Sequence, residues 1–167
     1  EAYAYTSFVA KASSKAWRGT IVYLEMYKAC KYTRKRINRY KNVKHECQIS
    51  HAQRKPGVPS KWAGYKNIYG IITEKYSDKK FDMILVKGRA RPQFAVWLLL
   101  SRLLKPNGLV YMFDTASGGR KHYRAAEDFF NVKYEMKNGK GIKVLKAKKS
   151  EDQPKLSFEE WLQEYDL

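Results

Sequence analysis

The sequence predicts an α/β domain with a mostly parallel sheet, helices on both faces and an antiparallel final pair of strands. Three observations predict it. Strand-like and helix-like stretches alternate along most of the chain, the pattern of a parallel sheet joined by crossover helices. Residues 81–86 (FDMILV) and 109–113 are continuous apolar runs, the kind buried on both faces of a sheet. The last two strands follow one another across Asn138-Gly139 with no helix between them, so they pair as a hairpin.

Each element has a local reason. Residues 6–16 read as a helix opened by Thr6 or Ser7. Residues 19–26 (GTIVYLEM) are rich in β-branched and aromatic residues and read as a strand. In 27–40, Tyr27, Cys30, Arg34 and Ile37 recur at helical spacing. A short strand is expected at 43–49. Pro56, Gly57 and Pro59 make 50–62 a loop. Tyr65, Ile68, Tyr69 and Ile72 share one side of a helix over 63–76. A helix over 92–104 carries Pro92 in its first turn, where the missing N–H costs nothing. It is apolar nearly all round (Trp97, Leu98, Leu99, Leu100, Leu103, Leu104), which fits a core helix or a protein interface. Pro106-Asn107-Gly108 reads as a turn. A helix over 121–130 precedes the hairpin strands 132–136 and 142–147. A polar linker, 148–155, leads to a short acidic helix over 158–165. The composition changes at residue 150, which predicts an α/β domain over 1–149 and an acidic tail over 150–167.

With 167 residues, 44% of them hydrophobic, the chain has the material for one domain with a substantial core. No apolar run approaches the roughly 18 residues needed to span a bilayer, the longest cluster being 94–100. Cys30 and Cys47 are too few for a disulfide scaffold, and two thiols suit an intracellular, reducing compartment. No signal peptide is expected at the Glu1 end.

Charge carries the first functional message. There are 34 Lys and Arg against 16 Asp and Glu, a net +18. Residues 151–167 hold six of the acids and one base, leaving 33 bases and 10 acids in the other 150 residues. A surplus of that size attracts polyanions, and nucleic acid is the commonest large one. A merely solubilising basic surface is the bland reading. An anionic membrane surface is a weaker one, because no basic amphipathic helix with an apolar face stands out.

The basic residues cluster. Lys31, Arg34, Lys35, Arg36, Arg39 and Lys41 lie on or beside the second helix, interleaved with Tyr27, Tyr32 and Tyr40. The 50–62 loop adds Arg54, Lys55, Lys61 and Trp62. Lys87, Arg89 and Arg91 form a further basic loop, and Arg120, Lys121 and Arg124 follow Ser117-Gly118-Gly119 at a helix start. Cations that hold phosphates beside rings that stack on unpaired bases are the means of RNA binding. A solvated face is the alternative for each cluster. The acidic tail is expected either to fold back on the basic body or to bind a neighbouring protein.

The run Phe81 to Arg89 (FDMILVKGR), then Leu103-Leu104-Lys105-Pro106-Asn107-Gly108-Leu109-Val110 and Asp114, resembles class I S-adenosylmethionine-dependent methyltransferases. The resemblance implies a Rossmann-like three-layer sandwich with reversed last strands, and a cofactor site at the carboxyl ends of the first strands. Glu1, Glu25 and Asp114 stand at its acidic positions, and Arg89 matches the Arg that follows Gly88. The glycine-rich turn of the family falls on Glu1 to Ser7, where Tyr3 and Tyr5 replace the glycines that let backbone approach the cofactor. Met26 and Tyr27 replace a polar pair. Lys87 replaces an Asp, placing a cation near a cofactor that is itself a sulfonium.

Other chemistry finds little support. His45, His51 and His122 are scattered and no metal-ligand spacing occurs. No GxSxG elbow accompanies the serines. The reading that results is a catalytically degenerate methyltransferase-like domain that uses no cofactor. It would bind RNA as a structural part of a ribonucleoprotein particle, for which an organellar ribosome, such as the mitochondrial one, is a fitting home by analogy. The alternatives are an active S-adenosylmethionine-dependent methyltransferase of unknown acceptor and a protein-binding scaffold.

Overall fold

The computed structural model describes residues 21–26, 41, 43–48, 70, 73–86, 90–113, 115, 122–136, 138 and 141–167. The chain divides into two compact units, Glu1–Ala52 and Gln53–Leu167. The helices expected at 6–16 and 27–40 and the loop expected at 50–62 lie outside the described residues.

In the first unit, β1 (Ile21–Met26) and β2 (Val43–Gln48) pair in parallel, from Ile21 opposite Val43 to Met26 opposite Gln48. Parallel pairing is what the alternation of strand-like and helix-like stretches predicts.

The second unit is a mixed α/β structure built on a four-stranded sheet, ordered β3-β4-β6-β5. A helical turn at residues 73–75 leads into Tyr76 and then β3 (Phe81–Val86). The crossover helix α1 (Arg91–Leu100) connects β3 to its parallel neighbour β4 (Leu104–Phe113). A short helix, α2 (His122–Ala125), continues into a 3-10 turn at Ala126–Asp128. Then β5 (Phe130–Met136) and β6 (Ile142–Ala147) run antiparallel, and β6 inserts between β4 and β5. A final helix, α3 (Phe158–Glu164), closes the chain. No helix among the described residues is long and apolar enough to cross a membrane.

Three expected boundaries move, each for a visible reason. Helix α1 stops at Leu100 and not at 104, because Arg102 takes a left-handed φ of 58°. The Leu103 N–H then bonds back to Leu98 O and the Arg102 N–H to Leu99 O, the double closure that ends many helices. Glycine usually occupies that position, so an Arg there gave no signal. The Pro106-Asn107-Gly108 turn lies within β4. Between the pairs Phe81–Leu104 and Met83–Leu109, β4 advances five residues while β3 advances two. The extra residues bulge outward, and Lys105 reaches Asp82 at 2.7 Å. Gly108 fits closely there: a Cβ would stand 2.5 Å from Leu104 Cδ1 and 3.0 Å from the Lys105 carbonyl oxygen, so any larger residue must displace the buried Leu104 side chain. The helix expected over 121–130 is cut short where Phe129 and Phe130, both buried, turn the chain into β5.

The sheet has one closed face. Ile84 and Val86 of β3, Val110 and Met112 of β4, and Leu145 of β6 are buried on the side where α1 packs. Lys143 shares this face, 7% exposed, and binds Glu127 and the cross-strand Glu135 at 3.6 Å. Alternate residues point the other way. Met83 and Leu85 are 42% and 40% exposed, so β3 is not buried on both faces as its apolar run predicts. Leu109, Tyr111 and Phe113 of β4 are half-buried on that same open side.

The acidic tail folds back, and its rings make the contact. Trp161 is fully buried, its ring 5.9 Å from Phe129 and 5.7 Å from Phe158, and its indole N–H donates to the Ala125 carbonyl at 3.2 Å. Phe158 also meets Trp97 edge-on at 5.2 Å. The apolar surplus of α1 thus receives α3 within the same unit. Ser157 caps α3 reciprocally with Glu160, whose carboxylate accepts from the Ser157 backbone N–H at 2.7 Å. That bond and the one from the Ser157 hydroxyl hold the Glu160 carboxyl below its ordinary pKa. Replacing Trp161 by Ala should cost about 3–5 kcal/mol, a large share of a typical domain's stability, as read by urea unfolding.

Tyr165 gives a pH-dependent counterpart. Its hydroxyl bonds to Asp128, which, with some burial, pushes the phenol up to about 12. A raised folded-state value favours the neutral phenol, so this contribution is complete below the ordinary Tyr value and is lost as pH rises through about 12. In an NMR titration of ring-labelled tyrosine, the Tyr165 midpoint should fall toward the ordinary value in Asp128→Asn.

Candidate functional site

In open α/β sheets ligands gather at the carboxyl ends of parallel strands, where loops diverge and helices begin. In the second unit that end is defined by Val86, Phe113 and the start of α1. Ala90 precedes α1 with a left-handed φ of 51°, which directs Arg91 into the protein as the first helical residue.

Arg91 is not the surface cation that the basic 87–91 loop predicts. It is 6% exposed, with its guanidinium carbon 4.9 Å from the Tyr123 ring centroid. Its Nε donates to the Tyr123 hydroxyl at 3.0 Å, and Nη2 donates to the same oxygen. A planar guanidinium both stacks on a ring and donates at its edge, so the pair ties α1 to α2. With its charge turned inward, Arg91 is not available to a phosphate. Sequence reading missed Tyr123 because the two residues lie 32 positions apart and neither belongs to a motif.

The other expected residues divide cleanly. Arg124, next along α2, is exposed, and so is Lys41. Glu25 lies one residue from the carboxyl end of β1, opposite Cys47 on β2. The remaining cations of the basic clusters (Lys31, Arg34, Lys35, Arg36, Arg39, Arg54, Lys55, Lys61, Arg89, Arg120 and Lys121) lie outside the described residues, as does Trp62. So do Glu1, Tyr3, Tyr5, Tyr27, Lys87 and Asp114 of the inferred cofactor site. Just past Asp114, the Thr115 hydroxyl is buried without a hydrogen-bond partner among the described residues. Among the described residues no three His, Cys, Asp or Glu side chains form a metal site.

No family model matches the chain. No curated protein matches it. Among solved structures it is similar to a ribosomal protein L11 methylase from Lactobacillus delbrueckii subsp. bulgaricus, at 14% identity over 86% of this chain and 77% of that one, with a TM-score of 0.40.

The Arg91–Tyr123 pair makes a direct prediction. Arg91→Lys keeps the charge but loses the planar fork, and should cost about 1–2 kcal/mol. Arg124→Ala, at an exposed position, should change stability by less than about 0.5 kcal/mol. Paired thermal melts check both, and RNA affinity should be unchanged in Arg91→Lys.

Proposed function

We propose that this chain is a methyltransferase-like domain that has lost its cofactor and binds RNA as a structural part of a ribonucleoprotein particle. The observation that carries the RNA reading is the charge: 33 bases against 10 acids outside the last 17 residues. Helix α3 docks by its rings, with Glu159, Glu160 and Glu164 at exposed positions.

The fold reading is supported by the sheet. A parallel β3-α1-β4 unit is followed by a reversed β6 lying between β4 and β5, in keeping with the reversed last strands of the class I methyltransferases that the 81–114 motif resembles. The loss of the cofactor rests on side-chain chemistry. By the resemblance, Tyr3 and Tyr5 stand in the sequence where the family has glycines, and Lys87 where it has an Asp. This donor set does not fit S-adenosylmethionine, so no catalytic step is assigned.

A second reading, an active methyltransferase using Glu25 for the ribose and Asp114 near the reacting group, has one observation in its favour. The unpartnered Thr115 hydroxyl stands at the end of β4, beside Asp114.

Calorimetry separates the two. The chain should show no heat of binding with S-adenosylmethionine, and Tyr3→Gly/Tyr5→Gly should regain some. Micromolar binding by the unaltered chain overturns the degenerate reading. The affinity for RNA should fall about 100-fold or more between 50 and 200 mM salt, as expected for a surface neutralising several phosphates. A weak, salt-insensitive affinity would overturn the RNA reading and favour the protein-binding scaffold.

A further inference from the structure

The open face of the sheet has a composition that the expected basic clusters do not include. Register places Leu85, Tyr111, Val144 and Tyr134 in one row across all four strands, with Phe113, Ile142 and Met136 in the next. Tyr134 is 59% exposed and Met136 37%. Among the regularly paired positions of β3, β4, β5 and β6, the charged side chain on this face is Lys146, opposite Leu109 and Asn131, while Lys105 and Lys133 fall at the irregularities of β4 and β5. The face therefore carries rings and no carboxylate.

Its rim is basic. Residues 131–149 contain seven lysines, of which Lys143 belongs to the closed face, and one carboxylate, Glu135. That carboxylate turns to the closed face, where it meets Lys143. Lys133 falls at the register shift of β5 and is exposed. Lys146 and Lys148 are half-buried, and Lys149 is exposed.

We propose that the open face formed by β4, β6 and β5 binds single-stranded RNA. Tyr134 and Tyr111 stack on bases, and Lys133 and Lys146 meet phosphates. The proposal rests on the RNA reading above but assigns it to other residues than those of 31–41 and 54–61. Rings two strands apart are about 10 Å from each other, which leaves each its own base. Single strands are the form that fits, because duplex RNA keeps its base faces stacked and offers nothing to a tyrosine. A second copy of the chain is disfavoured, because it would set one lysine-rich rim against another.

The test is fluorescence anisotropy on the full chain with a fluorescein-labelled 12-nucleotide oligouridine and with a labelled RNA duplex, between 50 and 200 mM salt. Tyr134→Ala should weaken oligouridine binding about 5- to 20-fold without changing its salt slope, and Tyr134→Phe should restore it. Lys133→Ala/Lys146→Ala should reduce the slope by about 1.4. Both sites are on the surface, and a melting curve identical to the parent's confirms the fold of each variant. If the parent binds RNA and these variants bind as tightly, the open face is overturned as the site while the RNA reading stands. A parent that binds neither RNA overturns both. Equal weakening of duplex and single strand by Tyr134→Ala overturns the stacking role. A dimer seen by light scattering, and dispersed by Tyr134→Ala, overturns the proposal in favour of self-association.

Discussion

Trp161 is the point at which the helical layer of the second unit closes. Its ring meets Phe129 and Phe158, and its N–H satisfies the Ala125 carbonyl at the end of α2. A fully buried indole contributes both apolar area and a hydrogen bond that would otherwise be missing in a dry interior. Phe158, one helical turn earlier, carries the contact to Trp97 on α1. Three helices distant in sequence are thus held by two aromatic residues of the last one.

This arrangement decides which face of the sheet is covered. The described helices pack over Ile84, Val86, Val110, Met112 and Leu145. Gly108 is buried against Leu104, and the exposed Lys105, Pro106 and Asn107 form the bulge that lets β4 rejoin β3 in register at Met83–Leu109.

The order and kind of the elements were legible because periodicity is a local signal: β1, β2, β3 and the antiparallel β5–β6 pair fall within a residue or two of where composition places them. The end of α1 was not legible, because its left-handed closing residue is Arg102 and not a glycine. The exposure of Met83 and Leu85 was not legible either. An apolar run shows that a strand prefers burial, whereas coverage depends on where helices from elsewhere in the chain pack. The candidate site was readable as charge, which is additive along the sequence. It was not readable as geometry: Arg91 looks like any cation of a basic loop until Tyr123 arrives from 32 residues away. Tyr3, Tyr5 and Lys87 were readable only through the methyltransferase resemblance, as misfits to a motif.

Strand β6 shows how a very basic chain folds without placing unpaired charge in its core. Lys143 and Lys146 are three residues apart and so point to opposite faces of the same strand. Burying an ammonium is costly unless carboxylates and hydrogen bonds replace its water. Lys143 has both Glu127 and Glu135 for this, one from the helical layer and one from the neighbouring strand. Among the described residues of the four strands Lys146 has no carboxylate on its side of the sheet, and it stays half-exposed at the open face. Glu135, the one acid of the 131–149 stretch, is turned to Lys143. Lys146 is left on the open side, where Tyr134 also emerges. Charge sorting by strand parity and exposure of rings are then one consequence of a single fact, that this sheet presents one closed face and one open one.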